Sequence, residues 1–276
     1  MPTYTGSDGA NLHYDDRPDP ILVLAGGAAR HPDYLGDLAG LGSRRRLVVP
    51  HLRGVGRSPL PDDVELASFW RQAEDIERLR VHLGLDRVLL LGHSAGTRLA
   101  ISYAAQFPAN VRGLVLVAPP TGYLVDGPPG TDAVIDARRG DPEFDAALAA
   151  WEAGPSTYDD AGYAAWQDVV APLSYAVWGP RERAHSAVGS SSFAANRAFF
   201  SVDPPADLAA RLSPVTAPVL VVAGAQDTSV GVAGATALAK LFTAGEIAVI
   251  DGSGHLPWVE QPEAFRAAVD AFLDRL

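Results

Sequence analysis

The 276-residue sequence contains no cysteine and a single lysine, and each shortage excludes a class of chemistry. Without cysteine there is no thiol nucleophile, no disulfide, no iron–sulfur cluster and no cysteine-ligated zinc. A Schiff-base enzyme would have to depend on Lys240, which lies in a predicted amphipathic helix over residues 232–242, where a solvated lysine is expected. A covalent mechanism must therefore use serine, threonine, aspartate or glutamate as its nucleophile.

Positive charge and long apolar runs are also scarce. Lys and Arg total 22 against 33 Asp and Glu, and the formal net charge of −11 disfavours nucleic acid and anionic membrane surfaces as partners. No stretch approaches the roughly 18 apolar residues of a membrane span, and the start of the sequence lacks the basic and apolar regions of a signal peptide. We therefore expect a cytoplasmic protein with no membrane partner.

Short apolar runs alternate with helical patterns along the chain. A run without polar alternation predicts a strand buried on both faces, which is typical of a parallel sheet. The runs lie at residues 21–25, 47–49, 88–91, 114–117, 219–222 and 247–250. Between them apolar residues recur at helical spacing, as from Leu66 to Leu83 and from Phe265 to Phe272. The alternation predicts an α/β fold with a doubly wound, mostly parallel sheet, and residues 4–14 predict an antiparallel hairpin at its edge.

The alternation stops at about residue 119 and resumes after residue 212. The intervening segment has Pro- and Gly-rich breakers and helical pieces at 145–151 and 158–170, but no buried-strand run. We therefore predict a core formed by residues 1–118 and 213–276, and a helical cap at residues 119–212 inserted after the sixth strand. Aromatic residues are frequent in the cap, where some should form its own small core and others the roof of a pocket.

A Gly-x-Ser-x-Gly motif at residues 92–96 directly follows the run at 88–91 and precedes a predicted helix at 97–107. This context predicts a nucleophile elbow, in which the serine adopts a strained backbone conformation and the flanking glycines avoid collisions in a tight turn. The helix N-terminus also favours developing negative charge. The alternative is a loop of purely structural use. We expect Ser94 to be the nucleophile.

A serine hydroxyl needs a base, so a histidine held by a carboxylate should follow it in the chain. Of the seven histidines, only His255 lies late and just after a predicted strand, and Asp227 follows the preceding strand. The order Ser, acid, His is typical of hydrolases with this elbow. Asp251 is the nearest rival as the acid, but four residues before His255 it more naturally forms the turn that presents the imidazole. His93 is expected to be packed or hydrogen-bonded within the elbow. The other histidines have no metal-ligand spacing, and we expect no metal site.

Backbone amides should stabilise the oxyanion, each typically contributing about 2.7–4 kcal/mol to the transition state. One donor should be Ala95, the residue after the serine, and the other Gly27 or Ala28 in the loop after the run at 21–25. The rival interpretation of this loop is a dinucleotide fingerprint, but the third glycine and the acidic residue after the next strand are missing. We therefore expect a mechanism without a cofactor.

These motifs make the sequence resemble the α/β-hydrolase fold family over essentially its whole length, most closely the proline iminopeptidases. The resemblance also includes three further sequences, namely Gly26-Gly27 with Asp33-Tyr34-Leu35, the Arg-Gly-x-Gly-x-Ser loop at 53–58, and Trp151-Glu152 in the predicted cap. Prolyl aminopeptidases have a Trp-Glu pair in the cap whose carboxylate binds the free N-terminal amine of the substrate. The resemblance implies that Glu152, beside Trp151, anchors a substrate amine. The alternative is a solvated carboxylate near a helix end.

The sequence departs from that family at three places. These peptidases usually have His-Gly-Gly-Pro-Gly where this chain has alanine at positions 25, 28 and 29, tryptophan where it has Ala95, and aspartate where it has His51. The fold and the triad do not depend on these positions. The Gly-His-Ser-Ala-Gly elbow is more similar to that of general esterases.

The sequence therefore predicts a serine hydrolase with Ser94, His255 and Asp227 as nucleophile, base and orienting acid. We expect first an aminopeptidase that releases proline or another small N-terminal residue, and second a carboxylic ester or lactone hydrolase. The partner is a small molecule or a short peptide. An alternative of another class is a ligand-binding protein that kept the fold and lost turnover, although such a protein need not keep all three residues.

Overall fold

The computed structural model describes residues 2–16 and 20–276. The strands are β1 (Thr3–Thr5), β2 (Asn11–Asp16), β3 (Ile21–Leu24), β4 (Leu47–Pro50), β5 (Val88–His93), β6 (Val111–Val117), β7 (Val219–Gly224) and β8 (Gly245–Ile250). They form one sheet in the order β1-β2-β4-β3-β5-β6-β7-β8. From β3 onward every pairing is parallel, whereas β2 is antiparallel to both β1 and β4. The predicted α/β class with a mostly parallel sheet is confirmed.

The helices of the described chain are α1 (Ala73–His82), α2 (Ala95–Gln106), α3 (Asp132–Arg138), α4 (Pro142–Ala153), α5 (Asp160–Val170), α6 (Pro180–Ser186), α7 (Phe193–Phe199), α8 (Leu208–Arg211), α9 (Val232–Ala239), α10 (Pro257–Glu260) and α11 (Pro262–Leu273). Helices α1 and α2 pack on one face of this sheet and α11 on the other, and the remaining helices include those of the segment between β6 and β7. Successive residues of a strand point to opposite faces. Leu22 and Leu24 of β3 accordingly pack in one buried cluster with residues of α1 and α2, while Ile21 and Val23 pack in another with residues of α11. This double burial explains why β3 to β7 lack polar alternation. The prediction of a strand buried on both faces is wrong for the run at 247–250, because β8 lies at the edge of the sheet, where its residues are exposed or half-buried except Ile250.

The predicted edge hairpin is present, with Tyr4 opposite Leu12 in an antiparallel register. The turn between its strands is tied to the core by Arg53. The Arg53 guanidinium is buried and donates to both carboxylate oxygens of Asp75, at 2.6 and 2.9 Å, and to Asp8 in the turn at 2.9 Å. The Arg53 pair holds the pKa of Asp8 at about 2. The loop at 53–58 therefore has a structural ion-pair network at its start.

The predicted helical spacing from Leu66 to Leu83 is interrupted. A short 3₁₀ turn at Val64–Ala67 ends where Ser68 is extended, with ψ of 151°, and α1 starts only at Ala73. The backbone amide of Phe69 donates instead to the carbonyl of Phe199, at 2.9 Å. The Phe69 amide thus donates to a distant segment of the chain, whereas in a continuous helix it would donate to a carbonyl of the same helix.

Between β6 and β7 the described chain contains helices and turns but no strand. Residues 119–212, here called the cap segment, have a small core of Phe144, Ala147, Val170 and Leu173. Other apolar residues of the segment join the clusters on the two faces of the sheet. Across the described residues, no helix has the length and apolar character needed to cross a membrane.

Candidate active site

Ser94 occupies the sharp turn between β5 and α2. Its backbone has φ of 51° and ψ of −122°, a conformation that L-residues rarely adopt and that is held only where the surroundings enforce it. A Cβ on Gly96 would lie 2.2 Å from the carbonyl oxygen of Leu24, and one on Gly92 would lie 2.8 Å from the carbonyl oxygen of Gly96. Both positions therefore require glycine, as the motif predicts.

His255 and Asp227 are hydrogen-bonded to each other on neighbouring loops that follow β8 and β7. His255 Nδ1 lies 2.7 Å from Asp227 Oδ2, and the Asp227 side chain is fully buried. The other oxygen of Asp227 accepts from the backbone amides of Ser229, at 2.8 Å, and Val230, at 3.2 Å. Because a carboxylate only accepts, His255 Nδ1 donates the proton, and Nε2 is left free to accept one. The rival acid, Asp251, is exposed in the preceding turn.

The loop after β3 packs directly against the elbow. Gly27, Ala28 and Ala29 have φ of 65°, 40° and 77°, so three successive residues adopt positive φ, two of them with a Cβ. A Cβ on Gly26 would lie 2.9 Å from the Cβ of Ser94. Gly27 and Ala28 line the same cavity as Ser94 and Ala95. Ala95 is the first residue of α2, where backbone amides have no partner within the helix.

A buried hydrogen-bond chain joins the three loops of the site. The Gly26 amide donates to the Tyr34 hydroxyl at 2.6 Å, and this hydroxyl lies 2.8 Å from His93 Nδ1. His93 Nε2 lies 3.0 Å from the carbonyl oxygen of His255. Since that carbonyl only accepts, Nε2 bears the proton, and Tyr34 donates to Nδ1. Burial and then the neighbouring His255 hold the pKa of His93 well below its ordinary value, so the ring is neutral.

These loops form the floor of a cavity of about 640 Å³. The floor comprises Ser94, Ala95, Gly27, Ala28 and His255. The roof is formed by aromatic side chains of the cap segment, which are Trp151, Tyr158, Tyr163, Trp166, Phe193 and Phe200. The remaining aromatic residues of the segment pack elsewhere, with Tyr175 and Phe199 in the clusters on the sheet.

The two cap residues implied by the proline iminopeptidase resemblance differ in position. Trp151 lines the cavity and stacks on Trp166, with ring centroids 5.3 Å apart. Glu152 is exposed on α4 and is not part of the cavity lining. Of the described residues that line this cavity, none is an aspartate or a glutamate.

The cap segment is hydrogen-bonded to the loops that bear His255 and Asp227. The amide of His255 donates to the carbonyl of Ser174 at 2.8 Å, and the Thr228 hydroxyl donates to the carbonyl of Leu173 at 2.7 Å. The buried carboxylate of Glu260 accepts from the amides of Gly254 and Ala176, both at 2.7 Å. Burial raises the pKa of Glu260 despite these donors. The cap segment thus contacts the site through hydrogen bonds of both backbone and side-chain groups.

Among the lining residues that the sequence did not predict are Arg30, Tyr34 and Arg98. Arg98 could have been found, because it lies in the first turn of the helix that directly follows Ser94. Arg30 lies in the irregular loop after β3, and Tyr34 lies in the short 3₁₀ turn at Pro32–Leu35 that follows. The positions of both side chains depend on tertiary contacts.

Comparison with known proteins agrees with this architecture. A family model described as alpha/beta hydrolase fold matches residues 19–262. A proline iminopeptidase of Heyndrickxia coagulans is 34% identical over 100 residues, which are 36% of this chain and 35% of that protein. This match therefore spans about a third of the relative's length.

Solved structures match nearly the whole chain at lower identity. An esterase from Exiguobacterium antarcticum has a TM-score of 0.72 and 20% identity, covering 99% of this chain and 98% of its own. A proline iminopeptidase of Mycobacterium smegmatis has a TM-score of 0.71 and 23% identity, covering 99% and 97%. At such identities the likeness establishes the fold.

Proposed function

The chain belongs to the alpha/beta hydrolase fold family, and we propose that it is a serine hydrolase that cleaves carboxylic esters or lactones through an acyl-enzyme. The observation that supports this most is the 2.7 Å pair of His255 and Asp227 beside a strained Ser94, with Ser94 and His255 lining one cavity. An acid that fixes the base, and a base that faces the same space as the nucleophile, are the elements of triad catalysis.

In the proposed reaction, Ser94 Oγ attacks the acyl carbon while its proton passes to His255 Nε2. Asp227 keeps the other nitrogen protonated and stabilises the imidazolium that forms. The amides of Ala95 and of Gly27 or Ala28 bind the oxyanion. The bond to the leaving oxygen then breaks, and His255 gives that oxygen its proton. Water repeats the sequence on the acyl-enzyme and releases the acid and free Ser94.

The charge of the cavity favours esters or lactones over substrates with a free amine. An ammonium group needs a carboxylate or several acceptors where it binds, because an unpaired buried charge is costly. No described residue of the lining is acidic, and Glu152 lies outside it. Two arginines, Arg30 and Arg98, also line the cavity, and their positive charges would disfavour an ammonium group there.

Sequence similarity favours a second candidate, an aminopeptidase that releases proline or another small N-terminal residue. It is supported by the 34% identity to a proline iminopeptidase over 100 residues. In this case Glu152 would have to reach the substrate amine from its exposed position on α4.

A substrate panel with the wild-type protein and Ser94→Ala separates these candidates. We expect hydrolysis of p-nitrophenyl butyrate or γ-butyrolactone, lost in the variant, and little release of p-nitroaniline from proline p-nitroanilide. Cleavage of the anilide that stops when the proline is acetylated would instead establish the aminopeptidase. No hydrolysis of any substrate, with saturable binding of a small molecule, would indicate a non-catalytic binding protein.

A further inference from the structure

The cavity above Ser94 contains positive charge with no negative partner. In the whole chain acidic residues outnumber basic ones, 33 to 22. Nevertheless the cavity lining includes Arg30 and Arg98 and, among the described residues, no carboxylate. The adjoining cavity of about 280 Å³ shares Arg30 and includes Asp168, which does not line the larger one. The distribution of charge at the site is therefore opposite to that of the protein.

Arg98 is held by aromatic rings and not by acceptors. Its guanidinium lies 3.9 Å from the ring centroid of Tyr123 and 5.4 Å from that of Phe200. Within the described part of the chain, its guanidinium has no ion pair or hydrogen-bond acceptor. Stacking uses the faces of a guanidinium and leaves its N–H groups, which lie in the plane, available. Burial lowers the pKa of Arg98, because no carboxylate compensates for the lost water.

Arg30 is fixed in orientation without being neutralised. Its Nε donates to the carbonyl of Val188 at 3.1 Å, and its Nη2 donates to the carbonyl of Ser186 at 2.8 Å. The guanidinium also lies 4.6 Å from the ring centroid of Tyr34. Carbonyl groups orient the side chain but add no negative charge. Arg30 therefore contributes a full positive charge at the edge of the cavity.

Arg53 provides the contrast within the same molecule. Its guanidinium is fully buried, whereas Arg98 is half-buried, and it is hydrogen-bonded to the carboxylates of Asp75 and Asp8. A buried arginine whose role is structural thus has its counter-charges in the chain. Arg98 lacks them and faces the space in which the substrate binds.

From this arrangement we infer that the substrate is an ester or lactone with a carboxylate group, and that Arg98, assisted by Arg30, binds this group. Arg98 follows Ser94 by about one helical turn, so the carboxylate would lie a short spacer away from the scissile bond. The inference rests on the proposed function, since it concerns the substrate of the same site. Monoesters of short dicarboxylic acids are the simplest compounds of this kind.

The test compares two substrates that differ only in charge, p-nitrophenyl monoadipate and its neutral carboxamide analogue. We expect wild type to have the higher kcat/KM on the anionic compound. Arg98→Gln should reduce the anionic-to-neutral ratio about 10- to 100-fold, the usual effect of a charge-assisted hydrogen bond. Arg98→Lys, which keeps the charge, should retain part of the preference. Arg197→Gln, at an exposed arginine outside the cavity, should leave the ratio unchanged.

A second pair of substrates shows on which side of the scissile bond the carboxylate is bound. The acetate ester of a hydroxybenzoate has the charge on the leaving group, and the acetate ester of the matching hydroxybenzamide is its neutral partner. Preference for the anionic member of either pair supports the inference. No preference in both pairs, with esters still hydrolysed, would overturn it and leave the proposed function intact.

Direct binding separates the inference from the activity. Calorimetric titration of adipate into Ser94→Ala, with and without Arg98→Gln, needs no turnover. If no ester is hydrolysed, the proposed function fails, and loss of adipate binding on the Arg98 substitution would still support an anion site. Equal binding by both proteins would contradict it.

Discussion

In the floor of the cavity the position of Ser94 is fixed by backbone geometry, whereas in the roof Trp151 and Tyr158 remain 55% and 74% exposed. The elbow tolerates only glycine at Gly96, where a Cβ would meet a carbonyl oxygen at 2.2 Å. The roof is made of aromatic side chains that stack on one another. No backbone constraint like that of the elbow holds them in place. In the proposed mechanism the floor therefore provides the reacting groups, and the roof selects the molecule that is held over them.

The largest effect is expected in the floor, from Ser94→Ala. Loss of the nucleophile should lower kcat about 10⁶-fold and abolish labelling by a fluorophosphonate probe. Ser213→Ala, at an exposed serine, is the matched control and should label like wild type. Continued labelling of Ser94→Ala would show that another residue is the nucleophile.

Asp227→Asn should have the next largest effect. Asparagine would favour the wrong tautomer of His255, and kcat should fall on the order of 10⁴-fold. Asp251→Asn, in the exposed turn, should retain near wild-type kcat. If the two variants exchanged these results, Asp251 would be the acid and the assignment made here would be wrong.

Tyr34→Phe tests the hydrogen-bond chain beneath the floor. Removing the hydroxyl leaves the Gly26 amide and His93 Nδ1 without their partner, and each such buried group costs about 1–3 kcal/mol. We expect a lower free energy of unfolding in urea titrations. We also expect a reduced kcat, because the loops of the floor are no longer held in position relative to one another. Tyr158→Phe, at an exposed hydroxyl, should not change stability.

Acid should weaken the same part of the floor. Burial lowers the pKa of His93 in the folded state, so the unfolded chain binds its proton more readily. The stability contributed by neutral His93 is therefore complete above the ordinary pKa of about 6.5 and is lost as the pH falls below it. His185, whose pKa burial also lowers, contributes in the same direction. The free energy of unfolding, measured from about pH 7 to about pH 5, should fall less in His93→Asn than in wild type or His82→Gln.

The smallest effects are expected in the roof. Trp151→Ala removes one of several aromatic rings and should raise KM a few-fold with little change in kcat, because the ring is already half exposed. Glu152→Gln should leave ester hydrolysis unchanged. A rise in KM for free-amine substrates on this second substitution would return the amine-anchor role to Glu152 and favour the aminopeptidase.

The contrast between the floor and the roof of the cavity also explains which features could be predicted from the sequence. Strands β3 to β7 could be predicted from apolar runs that are buried on both faces, and the elbow could be predicted from a turn that only certain residues can form. The same kind of run predicted β8 in the right place but with the wrong burial, since β8 is an edge strand. The positions of His255 and Asp227 could be predicted because residues at the carboxyl ends of parallel strands meet at one edge of the sheet. A short stretch of sequence encodes each strand and each of these loops, and the parallel sheet then brings the loops together.

The rest depended on contacts between distant segments. The interruption of the helix before Ala73 results from a hydrogen bond to Phe199, far along the chain. Likewise, Arg30 is positioned by carbonyls of the cap segment, and Glu152 is directed outward by the packing of α4. No local pattern encodes such contacts. Arg98 is an exception among the lining residues, because its position shortly after Ser94 can be read from the sequence.

The order of the sheet has a consequence for how activity is acquired during folding. Ser94 follows β5, whereas Asp227 and His255 follow β7 and β8, and the whole cap segment intervenes in the chain. Pairings between parallel strands this distant in sequence form slowly, because long loops must close before the contacts reward them. After dilution from denaturant, ester hydrolysis should therefore return later than the helical circular-dichroism signal, and activity would serve as a reporter of the last strands to assemble.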